Sequence, residues 1–201
     1  MNRRVSALLL SVFLGSASLS AASARAEDYA ITNVPGPSDG VEYGRVEGVL
    51  DASTEEVLAI LHDYSKYAGL FPYFQTTKVL SQRGGDAIVY LEAKVLHGAA
   101  TLWGQVRMKA TPGQDGTEVI DVKMMKGKAN VTEFLARWEI TPVDGGERTK
   151  VAFQLLVDPD LPVPNALVSN EMKNSVGKAF RALRKRTAER GAVASLSRGV
   201  M

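Results

Sequence analysis

The feature of this sequence that most constrains its fold is the alternation of apolar and polar residues between Tyr73 and Val157. A period of two is typical of strands that bury one face of a sheet. Glycine-containing turn signals at 84–85, 112–116 and 144–146 divide the alternation into short runs. Strands joined by such short links pair antiparallel. The stretch therefore predicts six strands, at about 73–82, 86–95, 99–110, 117–124, 129–141 and 147–157.

A further strand and two short helical segments are predicted before this stretch. Residues 41–50 form a strand-like run with valines and a tyrosine spread along it. Ser53 is followed three residues later by Glu56, which is the spacing of a capping box and predicts that a helix begins there. A second helical turn over residues 64–68 is predicted to end before Pro72, because proline disfavours a helical conformation in the residue that precedes it.

A long helix is predicted to begin near Pro164, since proline is tolerated in the first turn of a helix. The sheet and this helix each have one apolar face to bury, so we expect the helix to lie across the concave face of a curved sheet. Because sheets twist, helix and sheet should splay apart at one end and leave a cavity. The predicted fold is α+β, with a seven-stranded antiparallel sheet. The apolar stripe of the helix consists of Val168, Met172, Val176, Ala179, Phe180 and Leu183.

Two segments carry a resemblance to a known family. The first, residues 51–72, contains the pattern Asp63-Tyr64-x-x-Tyr67 followed by Phe71-Pro72, and the second is the proline-rich run at 158–170, with Ala166 near the place of a usual tryptophan. Both resemble the START-like (SRPBCC) superfamily, which includes polyketide cyclase-like and coenzyme Q-binding proteins. The resemblance covers about residues 41–190 and implies a helix-grip fold that holds a hydrophobic ligand between the sheet and the last helix.

The first 26 residues have the layout of a secretory signal peptide. Two arginines precede the apolar run Leu8 to Leu14, and a small-residue stretch ends in Ala-Arg-Ala at 24–26. The apolar run is shorter than the about 20 residues that a membrane-spanning helix needs. We expect a cleaved export signal and a periplasmic or secreted protein, the alternative being an uncleaved anchor. Residues 27–40 are predicted to be a linker, residues 41–190 the START-like domain and residues 191–201 a frayed tail.

Removal of the predicted signal changes the charge of the chain. The full sequence has 24 basic and 22 acidic residues, and residues 1–26 contain three arginines and no acid. The remaining 21 basic and 22 acidic residues give a formal charge of −1, which does not favour a nucleic-acid-binding domain. The sequence has no cysteine, which excludes thiol catalysis, iron–sulfur ligation and cysteine-ligated zinc.

Large apolar residues on the strands and on the long helix are the predicted ligand contacts, and plain core packing explains each of them equally well. The expected ligand is a lipid, a sterol-like molecule or a quinone, held without a metal or a cofactor. Basic residues from Arg181 to Arg190 are interpreted either as a solvated helix face or as a transient contact with anionic lipid headgroups. The predicted ligand-binding residues are Tyr73, Tyr90, Trp103, Met124, Phe134, Trp138, Phe153 and Met172.

An enzyme of the polyketide cyclase or aromatase kind is the alternative function, and an interaction module whose groove holds a partner segment is a third hypothesis. A cyclase needs an acid–base group inside the cavity, for which Arg107 and Glu133 are the candidates. Alternation predicts instead that charged strand residues face solvent on the convex side. The sequence has no hydrolase elbow, phosphate-binding loop or dinucleotide fingerprint. The two histidines, His62 and His97, are interpreted as surface residues.

Overall fold

A computed structural model describes residues 29–37, 40–95, 98, 100–127, 131–159 and 162–198 of the chain. Within these residues one antiparallel sheet is curved around a long C-terminal helix, which is the α+β helix-grip fold that the sequence predicts. The sheet has eight strands where the sequence predicts seven. The strands are β1 (Tyr29–Val34), β2 (Tyr43–Leu50), β3 (Phe74–Arg83), β4 (Asp86–Val95), β5 (Ala100–Pro112), β6 (Glu118–Gly127), β7 (Val131–Val143) and β8 (Arg148–Pro159).

Three α-helices accompany the sheet in the described part of the chain: α1 (Thr54–Leu61), α2 (Tyr67–Leu70) and α3 (Asn165–Arg198). The start of α1 is the one that the sequence predicts, because the backbone N–H of Glu56 donates to Ser53 Oγ at 3.2 Å. A 3₁₀ turn at Tyr64–Lys66 leads directly into α2. Both short helices therefore follow the second strand of the sheet, and the Ser53 cap confirms the predicted start of α1.

The strand order is β1-β2-β8-β7-β6-β5-β4-β3. From β3 to β8 each strand pairs with the next one along the chain, as the turn signals predict. β2 pairs instead with β8, so the chain crosses the sheet between β2 and β3. The segment that contains α1 and α2 makes this crossing and packs against β3, β7 and α3. It thereby closes one end of the space between α3 and the sheet.

β1 corrects the prediction that residues 27–40 are a linker. It pairs with β2 from Tyr29 opposite Gly48 to Val34 opposite Tyr43. An edge strand is held mainly by its backbone hydrogen bonds with one neighbour, so its sequence carries little of the alternation that marks an inner strand. The Tyr29 ring lies 4.9 Å from the ring of Phe180 on α3. That contact joins residues far apart in the sequence, and local patterns do not reveal it.

α3 corrects the prediction of a frayed tail after residue 190. The helix passes through Gly191 and ends at Arg198. Glycine inside a helix costs only about 1 kcal/mol relative to alanine, so it does not end a helix by itself. The six residues of the predicted apolar stripe are all at most 5% exposed, which confirms that this face is buried.

Two glycines bring α3 against one edge of the sheet. A Cβ atom at Gly44 on β2 would overlap the backbone of Met172, and one at Gly177 on α3 would lie 2.7 Å from Ile31 Cδ1. α3 accordingly packs on β1, β2 and β8. α3 itself does not pack closely on the remaining strands, and the cavity described below lies between them and α3.

The residues before β1 contain the predicted signal peptide, which lies outside the described residues. Over the described part of the chain, none of the helices combines the length and the apolar character that crossing a bilayer requires.

Candidate ligand-binding cavity

A cavity of about 280 Å³ lies between α3 and the concave face of the sheet. Strands β3 to β8, the segment that follows α2 and one face of α3 form its wall. Eight of the protein's 14 aromatic residues contribute to this wall, although the ring of one of them, Trp103, stacks on Tyr90 at the other face of the sheet. These eight are Tyr67, Phe71, Tyr73, Phe74, Trp103, Phe134, Trp138 and Phe153.

Most of the predicted ligand contacts lie in this wall. They come from five strands or loops and from α3, and the fold brings them around one space. Phe134 and Trp138 have the parity of the buried Ala136 on β7, and Phe153 has that of the buried Leu155 on β8, so all three face the inside of the sheet. The predicted residues found in the wall are Tyr73, Trp103, Met124, Phe134, Trp138, Phe153 and Met172.

Tyr90 is the predicted contact that does not line the cavity. Its neighbours Val89 and Leu91 are 0% and 5% exposed and face the core, so the alternation of β4 turns Tyr90 to the convex face. There its ring lies 6.0 Å from that of Trp103, and its hydroxyl donates to Glu92 Oε2 at 3.2 Å. The sequence pattern did not establish which parity of β4 points inward, and Tyr90 has the outward parity.

Stacked rings form one side of the cavity. Trp138 faces Phe153 across the β7–β8 ladder, with ring centroids 3.8 Å apart and planes inclined by 14°. Phe71 continues the stack, 5.8 Å from Trp138, and Tyr73 lies 5.9 Å from Phe71 with nearly parallel planes. Such rings present broad apolar surfaces and are held in place by one another. This side of the cavity is therefore both rigid and apolar.

Two tyrosines of the wall keep their protons at neutral pH. Tyr67 is 3% exposed, and its hydroxyl donates to the carbonyl oxygen of Leu61 at 2.6 Å. Burial raises the pKa of Tyr67 well above its usual value, with smaller contributions from neighbouring groups. Burial likewise raises the pKa of Tyr73. Neither phenol is thus suited to act as a base near neutral pH.

Polar residues occur at one side of the wall, where it meets solvent. α3 contributes Glu171, Ser175 and Lys178, and β4 contributes Lys94, next to Gly98. Lys178 is exposed and Glu171 is half-buried, so this side of α3 borders the opening of the cavity, here called the cavity mouth. The sequence did not predict these residues as contacts. Their signal was the spacing of Glu171, Ser175 and Lys178 at i, i+4 and i+7, which places them on one helix face beside Met172.

The charged strand residues that a cyclase was expected to use lie elsewhere. Arg107 is exposed, and neither it nor Glu133 belongs to the cavity wall. Arg137 bonds to Asp121 at 3.1 Å and to Glu139 at 3.0 Å in an exposed cluster. These positions alternate with the buried or cavity-lining residues of the same strands, as the prediction of a solvated convex face requires.

His62 is paired with a carboxylate. Its Nε2 atom lies 2.6 Å from Glu118 Oε1, which joins the end of α1 to the start of β6. His97 lies outside the described residues. Over the residues that the structure describes, no three histidine or acidic side chains come close enough together to hold a metal ion.

A curved antiparallel sheet that grips a long C-terminal helix above an aromatic cavity defines a protein of the START-like superfamily. The profile of one family, described as "Polyketide cyclase / dehydrase and lipid transport", matches residues 45–190. The chain belongs to this family. None of the curated proteins compared with the chain matches it.

Solved structures show the same fold at low sequence identity. A STAR-related lipid transfer protein from Xanthomonas axonopodis is 16% identical, with a TM-score of 0.71 over 81% of this chain and 95% of that one. A START superfamily protein from Mycobacterium smegmatis is 20% identical, with a TM-score of 0.63 over 73% and 97%. The Zhui aromatase/cyclase from Streptomyces sp. R1128 is 19% identical, with a TM-score of 0.51 over 77% and 88%. At these identities the likeness concerns the fold alone.

Proposed function

We propose that this protein binds and carries a hydrophobic small molecule, which is a lipid, a sterol-like molecule or a quinone, in the cavity beneath α3. The observation that carries the proposal is an aromatic cavity of about 280 Å³ whose polar residues are gathered at its mouth. The family description includes lipid transport, and one of the similar structures is called a lipid transfer protein. The signal peptide expected in residues 1–26 would place the carrier in the periplasm or outside the cell.

Burial of the apolar part of the ligand provides the binding energy. An apolar cavity of about 150 Å³ holds one benzene molecule. The space of about 280 Å³ therefore suits two fused rings or an acyl segment of similar volume, and a longer ligand would extend through the mouth. About ten buried methylene groups contribute about 8 kcal/mol, which corresponds to micromolar binding without any polar contact.

A cyclase or aromatase remains the second candidate, because the family description includes polyketide cyclases and a similar structure carries that name. In the described part of the wall, Glu171 is the one carboxylate that could serve as a base. Its side chain is half-buried at the mouth. The carrier is favoured because the deeper wall consists of apolar residues and of tyrosines that keep their protons.

The first experiment identifies what the protein holds. The full chain is expressed with its N-terminal segment, purified without detergent from the periplasmic fraction and extracted with organic solvent for mass spectrometry. We expect one class of lipid or quinone at near-stoichiometric amounts, and an intact mass that corresponds to cleavage after Ala26. Extraction of the Ala136→Leu variant, whose new side chain enters the cavity, provides the matched control and should yield less of the same molecule.

Three results would count against this proposal. An empty protein, or the same amount of ligand from Ala136→Leu, contradicts binding in this cavity. Protein that keeps residues 1–26 and stays in the cytoplasm contradicts the proposed location. Turnover of a linear β-polyketide thioester that is lost in Glu171→Gln and kept in Arg107→Gln would establish the cyclase instead.

A further inference from the structure

Ser175 on α3 differs from the other buried polar residues of the described chain. These residues are Thr149, Ser169, Ser175 and Thr187. Thr149 and Thr187 each donate a hydrogen bond to a backbone carbonyl oxygen, and Ser169 Oγ accepts one from the backbone N–H of Glu42. Ser175 is 8% exposed, and its side chain forms no hydrogen bond with any residue that the structure describes. A buried hydroxyl without a partner is costly, so its presence calls for an explanation.

The Ser175 hydroxyl faces the cavity. Ser175 belongs to the cavity wall, on the same face of α3 as Met172. Serine in a helix often donates to the carbonyl oxygen four residues before it, and Ser175 lacks such a bond in the described structure. Two atoms of half-buried residues, Asn33 Oδ1 and Thr77 Oγ1, also lack a partner in the described part of the chain, but both are shut off from open space. Ser175 Oγ is not shut off in this way, and the open space beside it is the cavity.

We propose that the ligand carries an uncharged oxygen, a hydroxyl or a carbonyl, which forms a hydrogen bond with Ser175 while the rest of the molecule fills the aromatic cavity. This inference rests on the proposed function, because it concerns the chemistry of the molecule that the same cavity binds. Either group completes the bond, since a serine hydroxyl donates to a carbonyl oxygen and both donates to and accepts from another hydroxyl. The ligand is thus an alcohol or a ketone, the latter including quinones, rather than a plain hydrocarbon.

The charges around Ser175 favour an uncharged group over an ion. Glu171 lies four residues before Ser175 and Lys178 three residues after it, which is about 6 Å and about 4.5 Å along the helix axis. The two charges are opposite, so their effects on an ion at Ser175 oppose each other. An ion would also lose hydration in entering a wall that is mostly apolar. A neutral oxygen requires only the hydrogen bond that Ser175 can provide.

The place of Ser175 orients the ligand. Together with Glu171 and Lys178 it lies on the side of the cavity that borders the mouth. The stacked rings of Trp138 and Phe153 form another side and present broad apolar surfaces. We therefore expect the oxygen of the ligand to lie near the mouth, and its rings or chain to lie against the stacked rings.

The test uses five probes that share two fused rings and differ in one substituent: tetralin, 2-tetralol, 2-tetralone, 2-aminotetralin and tetralin-2-carboxylate. Two fused rings suit a cavity of about 280 Å³. Binding to the full chain, exported and delipidated beforehand, is measured by calorimetry at neutral pH, where the amine and the acid are charged. We expect the alcohol or the ketone to bind more tightly than either charged probe.

Replacement of Ser175 by alanine isolates the hydrogen bond. Ser175→Ala should weaken binding of the alcohol, the ketone or both by about threefold to tenfold and leave the affinity for tetralin unchanged. The probe that loses more affinity identifies the oxygen as a hydroxyl or a carbonyl. Because the hydroxyl has no partner among the described residues of the ligand-free protein, the Tm of Ser175→Ala should not fall.

Ser169→Ala is the matched control. Ser169 lies on the same helix, is 5% exposed and does not line the cavity. This substitution removes the acceptor of the Glu42 N–H, so it should lower the Tm and leave the affinities of all five probes unchanged. A fall in the Tm of Ser175→Ala as large as that of Ser169→Ala would show that the Ser175 hydroxyl has a partner within the protein, and would refute the inference.

The binding results distinguish the two proposals. If Ser175→Ala weakens tetralin as much as the alcohol and the ketone, or weakens none of them, the uncharged oxygen is refuted and the hydrophobic carrier stands. The same conclusion follows if Tyr73→Phe alone removes the selective effect, because the bond then lies elsewhere in the wall. A charged probe that binds most tightly to the unmodified protein also refutes the inference, without the need for any variant. If none of the five probes binds, the carrier proposal and the uncharged oxygen fail together.

Discussion

Replacement of Ala136 by leucine tests whether the space beneath α3 is empty when no ligand is bound. Ala136 is 8% exposed and lies in the cavity wall on β7, between Phe134 and Trp138. Leucine adds three carbon atoms, and about 0.8 kcal/mol per buried CH₂ gives a gain of up to about 2 kcal/mol in the stability of the ligand-free protein. For a domain of this size, that gain corresponds to a rise in Tm of about 4–8 °C.

The same substitution should weaken ligand binding, because the leucine occupies space that the ligand needs. We expect the affinity for dodecanol, which has no charged head, to fall about tenfold. Thermal unfolding without ligand and calorimetric titration of dodecanol measure the two effects on one sample. Higher stability together with weaker binding is the combined result that an empty, ligand-sized cavity requires.

A matched variant shows what the substitution does where no space exists. Ala87 is 5% exposed, lies on the inner face of β4 and does not line the cavity. Extra carbon atoms in a filled core cost about 1–3 kcal/mol, so Ala87→Leu should be destabilised by that amount. If Ala136→Leu is destabilised to the same degree, the space is not open and the reasoning from the cavity to ligand binding is refuted.

Three further predictions concern the frame around the cavity. The buried Thr149 hydroxyl donates a hydrogen bond to the carbonyl oxygen of Ala52 at 2.8 Å. Thr149→Val removes this bond and should lower the free energy of unfolding by about 1–3 kcal/mol. An unchanged midpoint of urea unfolding would contradict this. Gly44→Ala should push α3 away from β2, because the added Cβ atom would overlap the backbone of Met172. We expect a lower Tm and a lower affinity for dodecanol. Unchanged values of both would show that α3 does not lie in contact with β2 at Gly44. Hydrogen bonds from Lys150, and to a smaller extent from Arg45, lower the pKa of Glu47 below its usual value of 4.5. These bonds therefore stabilise the folded protein above pH 4.5, and the stabilisation is lost as the pH falls through the lowered pKa. Glu47→Gln should therefore lower the free energy of unfolding at pH 7 by less than about 1 kcal/mol. It should also make the stability depend less on pH in the acidic range, and an unchanged pH dependence would argue against the pairing.

Much of the fold could be predicted because its signals are local. The alternation and the turn residues predicted seven of the eight strands. The capping residue Ser53 predicted the start of α1. Apolar residues spaced three and four positions apart predicted the buried face of α3. β1 was missed, since an edge strand relies on its backbone ladder with β2. The continuation of α3 through Gly191 was missed because one glycine weakens a helix without ending it.

The cavity was predicted less completely than the fold. Alternation shows that a strand has two faces, but it does not say which face points inward, and this is why Tyr90 was included although it lies outside the cavity wall. The cavity mouth was missed for a different reason. Its residues on α3 are far in the sequence from the strands that face them, and they come together only because the helix and the sheet enclose the same space.

The sequence by itself therefore determined most of the elements of this protein, their order and the residues able to form an apolar interior, because these depend on contacts between near neighbours along the chain. The tertiary structure decided where that interior remains open. Gly44 and Gly177 allow α3 to lie against β1 and β2 at one edge of the sheet, and the other strands are left facing a gap lined by aromatic rings. The size of that gap follows from the distance between helix and sheet, which no local pattern in the sequence records.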